Sequence, residues 1–91
     1  MYCVYAIVSL LDGRIYVGLS KNPTLRLKEP NSGGTNSTRP YRPWKLFYIE
    51  TDFQSLADAR KKEKILKSGF GKEKLKILPK NIITRSGVAQ R

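Results

Sequence analysis

The chain contains no histidine, one cysteine, one tryptophan and no long apolar run, and each shortage removes a class of function. Without His, the Ser-His-Asp triad, the two-His-one-carboxylate iron site and most imidazole acid/base chemistry are excluded. A lone Cys3 cannot form an internal disulfide framework, and one thiol without a His cannot build a zinc site of the usual ligands. Any metal must therefore be held by oxygen, and any proton transfer falls to Tyr, Lys, Asp or Glu. The longest apolar stretch near the start, Tyr2 to Val8, is too short to cross a bilayer and lacks the flanks of a signal peptide. These features predict an intracellular, cytoplasmic protein with no membrane partner.

Acidic residues are also scarce, 7 against 18 Lys plus Arg, for a formal charge of +11 over 91 residues. The excess is uneven: residues 1–59 carry 7 basic and 5 acidic side chains, whereas 60–91 carry 11 and 2. So basic a half attracts polyanions through counterion release, which makes nucleic acid, DNA first and RNA as a variant, the leading partner. A solvated basic face is the plainer alternative. The length fits one domain with a small core that needs no staples.

Residues 2–9 (YCVYAIVS) and 15–20 (IYVGLS) are rich in β-branched and aromatic types, and Asp12-Gly13 lies between them as a turn signal. A four-residue loop sets Ser9 opposite Arg14, Ile7 opposite Tyr16 and Tyr5 opposite Gly18, so Tyr5 and Tyr16 share a sheet face. Asn22 and Pro23 are a cap and first residue for a short helix that Pro30 is expected to stop by Glu29. A polar loop, residues 31–38 (NSGGTNST), follows, and Arg39, Arg42 and Lys45 after it are candidate phosphate contacts. Trp44 to Phe53 reads as a third strand with Leu46 and Tyr48 on one side and Phe47 and Ile49 on the other.

A longer helix is expected from about Ser55 to Lys67, capped by Asp52 or Ser55 and ended by Gly69. Leu56, Ala59, Leu66 and Phe70 trace one helical stripe, and Glu63 fills the gap in it. A carboxylate on a core-facing stripe needs a cation or several donors; it either marks a functional site or pairs with Arg60 or Lys67 one turn away. A short helix over 71–78 closes a domain of residues 1–79, and 80–91 are expected to form a flexible basic tail. The fold class is α+β, a three-stranded antiparallel sheet flanked by helices. Arg26, on the short helix after the hairpin, could neutralise charge on a phosphate near the tyrosine face. Next to a cation, the Tyr16 oxygen can accept a proton.

The stretch CVYAIVSLLDGRIYVG resembles the two-part signature of the GIY-YIG nuclease superfamily, with Cys3-Val4-Tyr5 at the first triplet and Tyr16-Val17-Gly18 at the second. The segments LRLKEPNSG, RPWKLFYIE and ARKKEKILKSG resemble its small stand-alone bacterial branch, so the likeness spans roughly residues 2–78. The resemblance implies a metal-dependent DNA endonuclease. In it Tyr16 is the general base or its close partner, Tyr5 orients water or phosphate, Gly18 keeps the sheet surface open to substrate, and Arg26 neutralises the scissile phosphate. Glu63 is the carboxylate for one Mg²⁺ or Mn²⁺ ion. Three positions depart from the pattern: Pro30 stands where the branch has His or Tyr, Leu19 where some relatives have Lys, and Cys3 where the first triplet has Gly. Pro30 keeps open the alternative of a catalytically impaired nucleic-acid-binding module of the same fold.

Overall fold

The computed structural model describes residues 2–33 and 38–87. Strands β1 (Cys3–Ser9) and β2 (Ile15–Ser20) form the expected hairpin, with Ile7 opposite Tyr16 and Tyr5 opposite Gly18. Its loop closes through Ser9 N–H to Arg14 O and Gly13 N–H to Ser9 O, both 2.9 Å, with Gly13 at φ +82°. The Ser9 hydroxyl accepts the Leu11 and Asp12 amides and donates to Tyr41 O at 2.6 Å, tying the loop to the turn that precedes the third strand. Asp12 accepts from the Arg14 backbone amide and Nε, and the amide bond first, then the guanidinium, hold its carboxyl below the usual range.

The short helix departs from expectation. Asn22 caps α1 (Pro23–Arg26) by accepting the Leu25 amide, but the chain re-enters helix after Leu27 as α2 (Lys28–Ser32). Pro30 lies inside α2 and does not stop it, because in a first turn the missing N–H has no intrahelical partner to lose. Gly33, at φ +83°, ends the helix.

After a 3₁₀ turn at Arg39–Tyr41, β3 (Trp44–Thr51) pairs antiparallel with β1. Asn31 of α2 pins its start: the amide nitrogen donates to Trp44 O at 3.0 Å and the amide oxygen accepts the Trp44 N–H. The strand is two residues shorter than expected because Asp52 adopts φ +69°, off the extended region. A bulge sets Ala6 opposite Tyr48 but Ile7 opposite Leu46. Phe47 is the extra residue, so Phe47 and Tyr48 share one face and Leu46 and Ile49 the other. The alternation read from the sequence fails at that bulge.

Ser55 caps α3 (Leu56–Lys67), accepting the Asp58 amide at 3.1 Å. Ser68 then serves two helices: its hydroxyl donates to Ile65 O at 2.6 Å and accepts the Gly71 amide at 3.3 Å. Gly69 therefore opens α4 (Gly69–Lys76) instead of ending α3. A Cβ at Gly71 would run into the Ile65 carbonyl, which fixes how closely the two helices turn. The turn swings Phe70 out to solvent beneath the Lys74 ammonium, 4.8 Å from the ring, and Leu75 takes the core place expected of Phe70.

The sheet has four strands, not three, in the order β2-β1-β3-β4, with β4 (Thr84–Gly87) parallel to β3. Helices α3 and α4 supply the crossover that a parallel pair requires. Thus part of the segment expected to be a flexible tail is a strand, and Lys80 at its start is anchored by donating to the carbonyls of Leu75, Lys76 and Leu78. Residues 88–91 lie outside the described residues. One face of the sheet, Val4, Ala6, Val8, Val17 and Phe47, packs on Ala59, Leu66 and Leu75. On the other, Cys3, Tyr5, Ile7, Trp44, Leu46 and Ile49, the partly buried apolar side chains packed among the described residues are Leu27 and Tyr41. No helix among the described residues is long and apolar enough to cross a membrane.

Candidate active site

On the thinly covered face, Tyr5, Tyr16 and Arg26 line one cleft of about 30 Å³ together with Glu29, Pro30 and Thr38. That volume admits a water molecule. Register places the two tyrosines: Tyr5 opposes Gly18 and Tyr16 opposes Ile7, so both project from the same side. They differ in access, Tyr5 being 4% exposed and Tyr16 42%. The space that a side chain at Gly18 would take is filled by Tyr5, whose hydroxyl would lie 2.5 Å from a Cβ built there. Glycine is thus required for the phenol to lie across β2, a more immediate reason than an open surface.

Burial pushes the Tyr5 phenol above its ordinary pKa, and the charges of Tyr16, Glu29 and Glu63 add to this while Arg26 opposes it. The Tyr5 hydroxyl is consequently a proton-bearing donor at neutral pH. Arg26, the last residue of α1, is half-exposed and its Nε lies 3.1 Å from Glu29 Oε1. That pair is solvent-screened, and a phosphate can replace the carboxylate at little cost.

Glu63 does not line the cleft. It sits on α3, its side chain 16% exposed, with Lys67 Nζ at 3.1 Å from Oε2. The ion pair named as one of its alternatives is present, yet its charge is close enough to act on Tyr5. No three of Asp, Glu, Cys and His gather among the described residues, so a cation at Glu63 would find no three-ligand protein cage there. A hard ion such as Mg²⁺ accepts that arrangement, and the oxygen-only donor fits it.

The three candidate phosphate contacts do not join this group. Arg39 Nε donates to Gly33 O at 2.8 Å and Arg42 Nε to Arg39 O at 3.1 Å, folding both guanidinium groups against the end of α2. Lys45 pairs with Val8, a residue of the helix-covered face. Conversely, Glu29, Asn31 and Thr38 were not singled out from sequence. Glu29 had a signal in its i,i+3 spacing from Arg26; Asn31 and Thr38 act on Trp44, and nothing local announces that. Pro30 does line the cleft, so a position expected from the resemblance to carry His or Tyr falls beside Tyr5, Tyr16 and Arg26.

The chain matches the family described as GIY-YIG catalytic domain over residues 1–76. It is 33% identical over 67 residues to the "Structure-specific endonuclease subunit SLX1 homolog" of Giardia intestinalis (strain ATCC 50803 / WB clone C6). That alignment takes in 70% of this chain but spans only 19% of the relative's length. No solved structure matches.

Proposed function

The chain belongs to the GIY-YIG family, and from that premise we propose that it is an endonuclease hydrolysing phosphodiester bonds in DNA with one Mg²⁺ or Mn²⁺ ion at Glu63. The observation that carries the reading is the shared cleft: an accessible phenol, a buried proton-bearing phenol and a guanidinium converge on a space the size of a water molecule. Water attacks phosphorus in line, the bond to the leaving oxygen breaks, and two ends result. Tyr16, acting as the phenolate, is the general base or its close partner and takes the proton that water loses, while the leaving oxygen is protonated from solvent. Tyr5 donates a hydrogen bond that orients the water or a phosphate oxygen. Arg26 exchanges Glu29 for the phosphate and neutralises the charge that develops there. The cation, when bound, supplies Lewis-acid stabilisation of that same charge.

The test is incubation of labelled single-stranded, duplex and branched DNA with the protein in Mg²⁺, Mn²⁺ or EDTA, beside Glu63→Gln and Arg26→Ala. The expected result is cutting that requires metal and falls by roughly 10²–10³-fold or more in each folded variant. Equal cutting by parent and both variants refutes the proposal. A second reading rests on Pro30, which lines the cleft with a ring that can neither move protons nor donate to phosphate, at the position where the resemblance expects His or Tyr. In that reading the domain binds nucleic acid with strong salt dependence but does not cut, and Pro30→His is the variant expected to restore turnover.

A further inference from the structure

Beside the cleft lies a second, larger cavity of about 490 Å³, between the hairpin loop, the start of β3 and α4. Arg14, Tyr16, Thr38, Trp44, Lys72 and Lys76 are among its walls, and none of the described residues lining it is a carboxylate. Tyr16 and Thr38 also line the cleft, so the two spaces meet there. Its cations come from two separate elements.

Arg14 is held in place before any ligand arrives. Its Nε is committed to Asp12 at 2.8 Å and its guanidinium face rests 3.5 Å from the centre of the Tyr41 ring. The edge that remains carries the Nη donors, a fork suited to phosphate oxygens. Lys72 is half-buried and has no ion-pair or hydrogen-bond partner for its ammonium among the described residues. Lys76 pairs with Glu73 at 3.3 Å, but both side chains are largely exposed and the pair is easily exchanged.

We infer that this cavity is a phosphate subsite for the strand being cut, in which Arg14, Lys72 and Lys76 hold a phosphodiester adjoining the one placed between Tyr16 and Arg26. The inference rests on the nuclease reading above and gives it a strand path: from the cleft, past Tyr16 and Thr38, into the gap between the hairpin loop and α4. The volume suits a single nucleotide unit, not a duplex. The continuity with the cleft favours a polymer over a free anion, which would need no shared wall.

The experiment measures affinity for a fluorescent single-stranded oligonucleotide in EDTA across a salt series. It compares the parent, Lys72→Gln/Lys76→Gln, and Lys61→Gln/Lys64→Gln, which makes the same charge change at exposed positions of α3. The Lys72/Lys76 double variant is expected to bind at least about tenfold more weakly near 0.1 M salt, with the slope of log affinity against log salt reduced by about 1.4; the control is expected to lose less than about threefold. A neutral methylphosphonate, moved one phosphate at a time along the strand, is expected to weaken the parent at a position where the double variant is indifferent. Equal losses in the two double variants, or a double variant as sensitive as the parent at every position, overturn the subsite. Cutting is scored separately with metal. A parent that cuts, with a Lys72/Lys76 variant that binds and cuts equally well, defeats the subsite alone. A parent that binds through Lys72 and Lys76 but does not cut in Mg²⁺ or Mn²⁺ upholds the subsite and defeats the hydrolysis.

Discussion

The two faces of the sheet are built from the same strand and serve different ends. All seven residues of β1 are buried, yet Val4, Ala6 and Val8 meet two amphipathic helices, whereas Cys3, Tyr5 and Ile7 meet only short, interrupted ones. The first face is packed by α3 and α4 and is hydrocarbon except for Tyr48 and the buried Glu50, whose carboxylate accepts the Tyr48 hydroxyl and lies 3.6 Å from the Lys62 ammonium. Among the described residues the second carries less apolar cover, and Tyr5, Tyr16 and Arg26 line a cleft in it. The contrast teaches that stability and chemistry are separated by strand alternation alone, so each face should answer to its own substitutions.

The largest expected effect tests the covered face. Phe47 is fully buried and is the extra residue of the bulge, wedged among β1, α3 and α4. Phe47→Ala removes a ring from a packed core and is expected to cost about 3–5 kcal/mol, read as a shift in the urea midpoint. At a temperature where the variant is still folded, affinity for single-stranded DNA should change little. A loss of binding with no loss of stability would break the separation of the faces.

Gly18→Ala tests the second face. A methyl group at residue 18 would sit 2.5 Å from the Tyr5 hydroxyl and 2.6 Å from Cζ, so the ring must move or β2 must lift from β1. The expected cost is about 1–3 kcal/mol of stability, as for overpacking elsewhere, with a disproportionate fall in cutting. Made in a Tyr5→Ala background, the same substitution should be close to neutral. Additive losses in that double-mutant cycle would show that the glycine serves something other than Tyr5.

How far the sequence reveals this molecule follows from how local each determinant is. The hairpin was legible, register included, because Asp12-Gly13 fixes the turn and the turn fixes which residues face each other. Tyr5 and Tyr16 could be placed together for that reason. The bulge at Phe47 was not legible, since it depends on how β1 and β3, some forty residues apart, settle against each other. Strand β4 has no local signal, because Thr84–Gly87 carries no apolar alternation and pairs with an edge of β3 that α3 and α4 bring it to. Ser68 misled in a simpler way: one hydroxyl caps two helices, so a glycine that looked like a stop became a start. Around the cleft, register places Tyr5 beside Tyr16, whereas no local signal tells where the cations turn: Arg39 and Arg42 donate to backbone carbonyls, and Arg14 and Lys72 line a common cavity.

The smallest effect sharpens the comparison most, because it asks whether the cleft's inner wall is as dry as the core. Burial raises the Tyr5 pKa above about 10, so in the folded state the phenol keeps its proton after the unfolded chain has released it. The folded state then binds more protons than the unfolded one, and stability falls as pH rises from about 10 through the folded value; below that window Tyr5 contributes no pH dependence. Cys3, on the same face and also raised by burial, starts an equivalent decline nearer pH 9. Tyr5→Phe should therefore flatten stability against pH above about 10 and leave the earlier part of the curve, which belongs to Cys3, in place. Deprotonation of the many lysines is common to parent and variant and cancels in the difference. Urea midpoints between pH 8 and 11 check it: parallel curves for the two proteins would mean that Tyr5 is solvated in its cleft, and that the two faces differ less than their burial indicates.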